Sequence, residues 1–207
     1  MALPTVFGEQ SSPLANYDYY EISEGTGIVN FYGACASTAA ATYDYFLTNN
    51  SGVISAKGGQ EELNQGGDLT LTFSVPFNLP KYITGNAFVS VPLSLTTSGS
   101  AAGRTAYTTI TISHYDGSTD TPISSAIQSE NFTVGGYNAA LYKTLTTKLV
   151  LTPKQFGKGD VLRIKVVTTM TSGGGTAGGQ IAYSPSNQVT GWTNSRLFAL
   201  IPFRIDL

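Results

Sequence analysis

The sequence predicts an all-β fold, an antiparallel two-sheet β-sandwich of the jelly-roll kind with roughly eight to ten strands and little or no helix. Three observations predict it. Residues 69–77 read Leu-Thr-Leu-Thr-Phe-Ser-Val-Pro-Phe, apolar at every odd position and polar or proline at every even one, which is the period of a strand with one buried face. The alternation returns at Ala87, Val89, Val91, Leu93 and Leu95 and runs on to Leu207. Between such runs, 23 glycines and dense Thr and Ser supply turns. No segment keeps a helical period over a useful length; only a short helical turn near Glu61 or Pro153 is expected. At 207 residues the chain suits one sandwich, because all-β domains of roughly 200–250 residues form single units. Residues 1–26 are read as an N-terminal extended arm and residues 27–207 as a single domain.

The arm lacks sustained alternation, carries Pro4 and Pro13, and sets Tyr17, Tyr19 and Tyr20 around Asp18. Tyrosine presents a large apolar ring with a polar tip, so these three are candidates for a subunit contact. Strands follow at 27–33 and 42–48, the second with Tyr43, Tyr45 and Leu47 on one face, and Asn49-Asn50-Ser51-Gly52 makes a turn. Residues 53–68 are polar and glycine-rich and read as a loop around Glu61 and Glu62. In the central strands, Pro76 and Pro92 fall on the polar parity. Proline cannot donate to a ladder, so each marks an edge, a bulge or a crossing between sheets, which favours a sandwich over a regular closed barrel. Further strands fit 105–115, 123–134, 140–152, 161–171 and 196–207, separated by loops at 98–103, 116–121, 135–136 and 172–179.

Composition narrows the function more by exclusion than by indication. The chain has one His, one Cys and 12% charged residues. Cys35 cannot form an intrachain disulfide, so stability must come from packing or assembly, and with no basic neighbour in sequence it reads as a small buried apolar residue. Residues 1–6 lack the pattern of a secretion signal and no run reaches the roughly 18 apolar residues of a membrane span, so no membrane role is expected. Asn49 and Asn131 then match a glycosylation pattern by chance. Residues 1–68 hold eight acids against Lys57, a balance of −7, while residues 141–207 hold eight bases against Asp160 and Asp206, a balance of +6. Such asymmetry steers self-assembly if the two ends meet between subunits. It has no such consequence if both interleave within one sandwich.

Candidate chemistry is sparse. His114 shares the parity of Ile110 and Ile112 and reads as a hydrogen-bonded histidine at a strand end; with no second His, a metal site or a Ser-His-Asp triad would rest on it alone. No catalytic, cofactor-binding or metal-binding set is assigned. Glu61, Glu62 and Asp68 leave a carboxylate-based glycosidase open as a remote alternative, although a solvated acidic loop is their ordinary reading. The oxygens of residues 116–120 do not match the EF-hand pattern. A pI near 5.3 opposes nucleic-acid binding. Arg163 and Lys165 occupy the face of a strand opposite Leu162, Ile164 and Val166, which suits an exposed sheet face or a subunit contact. Trp192, in a loop reading Val-Thr-Gly-Trp-Thr-Asn, is the residue to test for glycan contact, with partial burial against the sandwich as its other role.

The segment Leu-Thr-Pro-Lys-Gln-Phe-Gly-Lys-Gly-Asp-Val-Leu-Arg-Ile at 151–164 is a strand, a Gly-Asp turn and a second strand. Together with the closing Ile-Pro-Phe-Arg-Ile-Asp-Leu at 201–207, it resembles the jelly-roll β-sandwich structural proteins on virions of tailed bacteriophages and related viruses. The resemblance implies a virion protein of the capsid decoration or cement type, or a tail or spike part. It further implies a homo-oligomer, often a trimer, that contacts other virion proteins. A glycan- or receptor-binding module of a phage tail or spike is the alternative it leaves open.

Overall fold

The alternating runs become strands in a computed structural model that describes residues 26–38, 43–64, 66–98, 103–135, 140–171, 176–186, 189, 192 and 196–204. In chain order the strands are β1 (Thr26–Ser37), β2 (Tyr43–Thr48), β3 (Gln60–Leu63), β4 (Asp68–Pro76), β5 (Lys81–Ser98), β6 (Arg104–Tyr115) and β7 (Asp120–Pro122). They continue as β8 (Ile127–Gln128), β9 (Phe132–Val134), β10 (Ala140–Phe156), β11 (Val161–Met170), β12 (Thr176–Ala182) and β13 (Phe198–Arg204). Their hydrogen-bonded order is β3-β12-β5-β13-β1-β2-β4-β11-β6-β7, with β10 on β5 and with β8 and β9 on β6. The sheet stays open and folds over into an all-β sandwich whose facing sides share one apolar core.

The crossing between layers lies in β1, whose residues 26–32 pair with β13 while residues 32–37 pair with β2. Gly33 sits at the change of partner. A Cβ there would lie 2.8 Å from the Phe73 ring, so the bend requires a residue without a side chain. All pairings are antiparallel except β2 with β4, which meet in parallel at Phe46 and Ser74. The core is built in cross-strand rows: Ile112, Ile164 and Phe73 are aligned across β6, β11 and β4, and Leu145 faces Val91 across β10 and β5. All five side chains are fully buried, and each such burial contributes about 1.5–3 kcal/mol before entropy is charged against it.

The prolines behave as their missing N–H demands. Pro92 lies on β5 where one edge changes partner, β13 pairing as far as Ser90 and β12 starting at Leu93. Pro76 ends β4. The register of β5 slips against β10 between Leu151 and Lys154 and against β13 between Leu200 and Phe203, both beside Gly85, whose φ of 107° is open to glycine.

Three sequence expectations, the strand at 123–134 and the loops at 53–68 and 172–179, are corrected. The predicted strand at 123–134 is three short pieces, β7 to β9, because Ser124 and Ser129 hydroxyls accept the Ile112 and Thr108 N–H groups that a continuous strand would have taken. The loop at 53–68 contains β3, and the loop at 172–179 runs into β12, the two pairing with each other. Of the two places expected to allow a helical turn, the one near Glu61 holds a 3-10 turn at Ala56–Gly59, while Pro153 lies in β10. The strand, Gly-Asp turn and second strand of residues 151–164 are present as the end of β10 and the start of β11, which pair with β5 and with β4 and β6 respectively.

Candidate interaction surfaces

Tyr17, Tyr19 and Tyr20 lie outside the described residues. Arg163 and Lys165 project from β11 opposite its buried Leu162, Ile164 and Val166. The Arg163 guanidinium stacks 3.5 Å from the Tyr115 ring centre and reaches Asp120 at 3.3 Å, so it is engaged within its own chain. Lys165 is exposed on the same face, between Thr72 of β4 and Thr111 of β6.

Trp192 is only 9% exposed and packs with Ala182 and Val189. Its ring meets Tyr142 edge to face at 5.1 Å, and Tyr142, at 51%, is the ring that the pair offers to solvent. Trp192 lies outside the strands, and its contact with Tyr142 joins residues 50 apart and has no local signal in the sequence.

Glu61 departs most from expectation. It is buried on the inward side of β3, where its carboxylate accepts hydrogen bonds from the Tyr45 hydroxyl and the Lys57 ammonium. A buried carboxylate persists only with such partners. Beside it the Cys35 thiol donates to the Ala56 carbonyl at 3.0 Å and shares a hydrogen with the Tyr183 hydroxyl at 3.3 Å. The Tyr45, Phe73 and Tyr183 rings touch mutually at 5.6–5.8 Å. Burial pushes the Cys35 thiol up, and burial followed by the bonds to Glu61 and Cys35 pushes the Tyr45 and Tyr183 phenols far above their ordinary value. Acidities lowered in this way oppose a thiolate or phenolate nucleophile, so the cluster serves as a clamp inside the sandwich.

His114 is the expected strand-end histidine. Its Nε2 lies 2.6 Å from Asp160 Oδ2 and its ring stands on Phe156 at 4.7 Å. The Asp160 carboxylate also accepts the Gly157 N–H at 2.7 Å, and the His114 bond, then the Gly157 bond, hold it below the ordinary carboxylate value. Asp116 spends its oxygen on the Ser118 and Thr119 N–H groups at 2.9 and 2.7 Å, which closes an Asx turn. Among the described residues no group of three or more His, Cys, Asp or Glu could hold a metal ion. Nor is any described helix long and apolar enough to cross a membrane.

Where β1 begins, the layers part to leave a cleft of 560 Å³ lined by Val29, Phe31, Leu47, Val75, Phe77 and Phe203, with Lys81 and Arg204 among its polar groups. Leu79, next to the lining residue Pro80, is 67% exposed, whereas Ile28, 62% exposed, lies on the face of β1 opposite Val29 and Phe31.

No family model matches the sequence, and no curated protein matches it. Among solved structures the chain is similar to an alpha-amino acid ester hydrolase labelled with selenomethionine, at 12% identity and a TM-score of 0.49 over 86% of this chain and 36% of that one. It is also similar to a CocE/NonD family hydrolase from Staphylococcus aureus, at 10% identity and a TM-score of 0.45 over 86% of this chain and 36% of that one. A third similar structure is that of infectious bursal disease virus Gt strain, at 13% identity and a TM-score of 0.32 over 88% of this chain and 38% of that one. The chain spans little more than a third of the length of these structures. Likenesses this distant carry no argument for an activity.

Proposed function

We propose that this chain is a non-enzymatic virion structural protein, a capsid decoration or cement subunit or a related coat subunit, working through protein-protein contacts. The carrying observation is the apolar cleft at the start of β1, lined by Val29, Phe31, Val75 and Phe77, with exposed Leu79 beside its lining residue Pro80. β1 begins beside this cleft at Thr26, and the residues before it, with Tyr17, Tyr19 and Tyr20, are in this reading the arm that contacts a neighbouring copy. The two ends of the chain interleave in one sandwich, β1 pairing with β13, β3 with β12 and β4 with β11. The charge that bears on assembly is therefore that of the residues before β1, where Glu9, Asp18, Glu21 and Glu24 stand with no base and complement Lys81 and Arg204 at the cleft of another copy. Lys165 adds a free cation on the outer face of β11 for a second contact, to a copy or to another virion protein. The assembly is a homo-oligomer, with a trimer the favoured size, located in the virion. The internal use of Cys35, Glu61, Tyr45 and Tyr183 supports a non-enzymatic role, because these groups are committed to packing.

Replacing Leu79 by Asp together with Lys81 by Glu tests the reading without touching the core, since Leu79 is exposed at the cleft and Lys81 is one of its polar lining residues. The variant is expected to melt like the parent yet to run at a lower mass by light scattering. A variant that assembles as the parent does overturns the cleft as the contact.

A further inference from the structure

A second surface, on the opposite side of the cross-strand logic, carries an independent inference. The registers of four neighbouring strands place Tyr142 of β10 opposite Ser94 of β5, Ser94 opposite Gln180 of β12, and Gln180 opposite Glu62 of β3. Residues directly opposite one another point to the same face. The adjacent row, Leu141, Leu95, Gly179 and Leu63, puts buried Leu95 and Leu63 on the other face, so the row of Tyr142 faces outward. With neighbouring strands ~4.8 Å apart, the four side chains span about 14 Å in a line. They line a groove of 370 Å³, within the ordinary size of a small-ligand site.

We propose that this groove binds a neutral saccharide, with Tyr142 as the stacking ring and Gln180, Glu62 and Ser94 as hydrogen-bonding partners. The chemistry selects this class. A sugar ring carries one C–H face that packs on an aromatic ring, and hydroxyls that both donate and accept, and the groove supplies an aromatic ring at one end and amide, hydroxyl and carboxylate groups along the rest. It has no Lys, Arg or His among its lining residues, so a phosphate or an acidic sugar would meet Glu62 with no counter-charge. A peptide would seek apolar anchor pockets, and this groove is predominantly polar along its row.

Two features make the groove a prepared site. Trp192 packs on Ala182, which shares the outward face of β12 two residues beyond Gln180, and its edge contact fixes the Tyr142 ring. Gly178 shares that face two residues before Gln180 and leaves the floor open, because a Cβ there would meet only the Thr96 hydroxyl, at an ordinary 3.5 Å. A larger side chain at 178 therefore fits the strand while filling the groove.

The test uses the full chain and an array of neutral and acidic oligosaccharides, read by calorimetry and by the emission of Trp192, the sole tryptophan of the sequence. A neutral oligosaccharide is expected to bind saturably and shift that emission. Tyr142→Ala should weaken it by about tenfold, Tyr142→Phe should retain it, and Gly178→Val should abolish it with the melting temperature unchanged. Absence of any neutral ligand at millimolar concentration overturns the proposal. Equal affinity in Tyr142→Ala and Gly178→Val, or preference for an acidic sugar, overturns it as well. None of these outcomes bears on self-assembly, which Leu79 and Lys81 report separately.

Discussion

The hydroxyl of Tyr45 donates to the carboxylate of Glu61 across the two layers of the sandwich. Tyr45 lies on β2 and Glu61 on β3, five places apart in the hydrogen-bonded order of the sheet, so only the folding-over of the sheet brings them together. Lys57 neutralises the same carboxylate from the 3-10 turn that leads into β3. This tie closes the side of the sandwich that the backbone ladder leaves open.

Breaking that tie should cost stability. Glu61→Ala leaves the Tyr45 hydroxyl without its acceptor, and a loss of about 1–3 kcal/mol is expected from urea melts. Tyr45→Phe should cost about 1 kcal/mol, and the double variant should fall short of the sum of the two, which is the signature of a direct contact.

The Cys35 thiol should be silent in the folded protein. It is buried, held between the Ala56 carbonyl and the Tyr183 hydroxyl, and pushed up in pKa by burial. A disulfide reagent added at pH 8 is expected to titrate no thiol until denaturant is present; rapid reaction in buffer would contradict the described packing.

What was legible in the sequence was the core, because strands with one buried face write their burial as alternation. The parity of 69–77, 87–95, 161–170 and 197–203 reappears as β4, β5, β11 and β13 with the expected side chains inward. What was illegible is non-local. Glu61 reads as solvent-facing by its charge, and its acceptor role depends on Tyr45 arriving from another layer. β12 reads as a loop because Gly178 and Gly179 replace its side chains, although Ile181 is buried beside them. The row of Tyr142, Ser94, Gln180 and Glu62 exists only through three registers, and none of its residues stands out in sequence as Trp192 does.

Acid should expose the turns. The His114 bond and the Gly157 N–H hold the Asp160 carboxylate below its ordinary 3.8, and Asp116 is brought down to about 2 by the Thr119 and Ser118 bonds. A carboxylate lowered by folding contributes stability that is present above the unfolded value and is lost as pH falls through the folded one. The melting temperature should therefore decline between pH 4 and pH 2, and Asp116→Asn should flatten that decline. An unchanged slope in the variant would show that the Asx turn does not couple to folding.

Trp192 should report its burial directly. At 9% exposure against Ala182 and Val189, its emission is expected to be blue-shifted from that of free tryptophan and weakly quenched by acrylamide. Tyr142→Ala should raise the quenching by uncovering the indole edge. Strong quenching in the parent would contradict the contact.

The measurement that bears most directly on a structural role is the solution mass, by light scattering after size exclusion, of the full chain and of a chain starting at Gly27. A trimer or larger assembly of the 21.8 kDa chain that falls apart without the arm is the predicted result. A single-chain mass for both would contradict it.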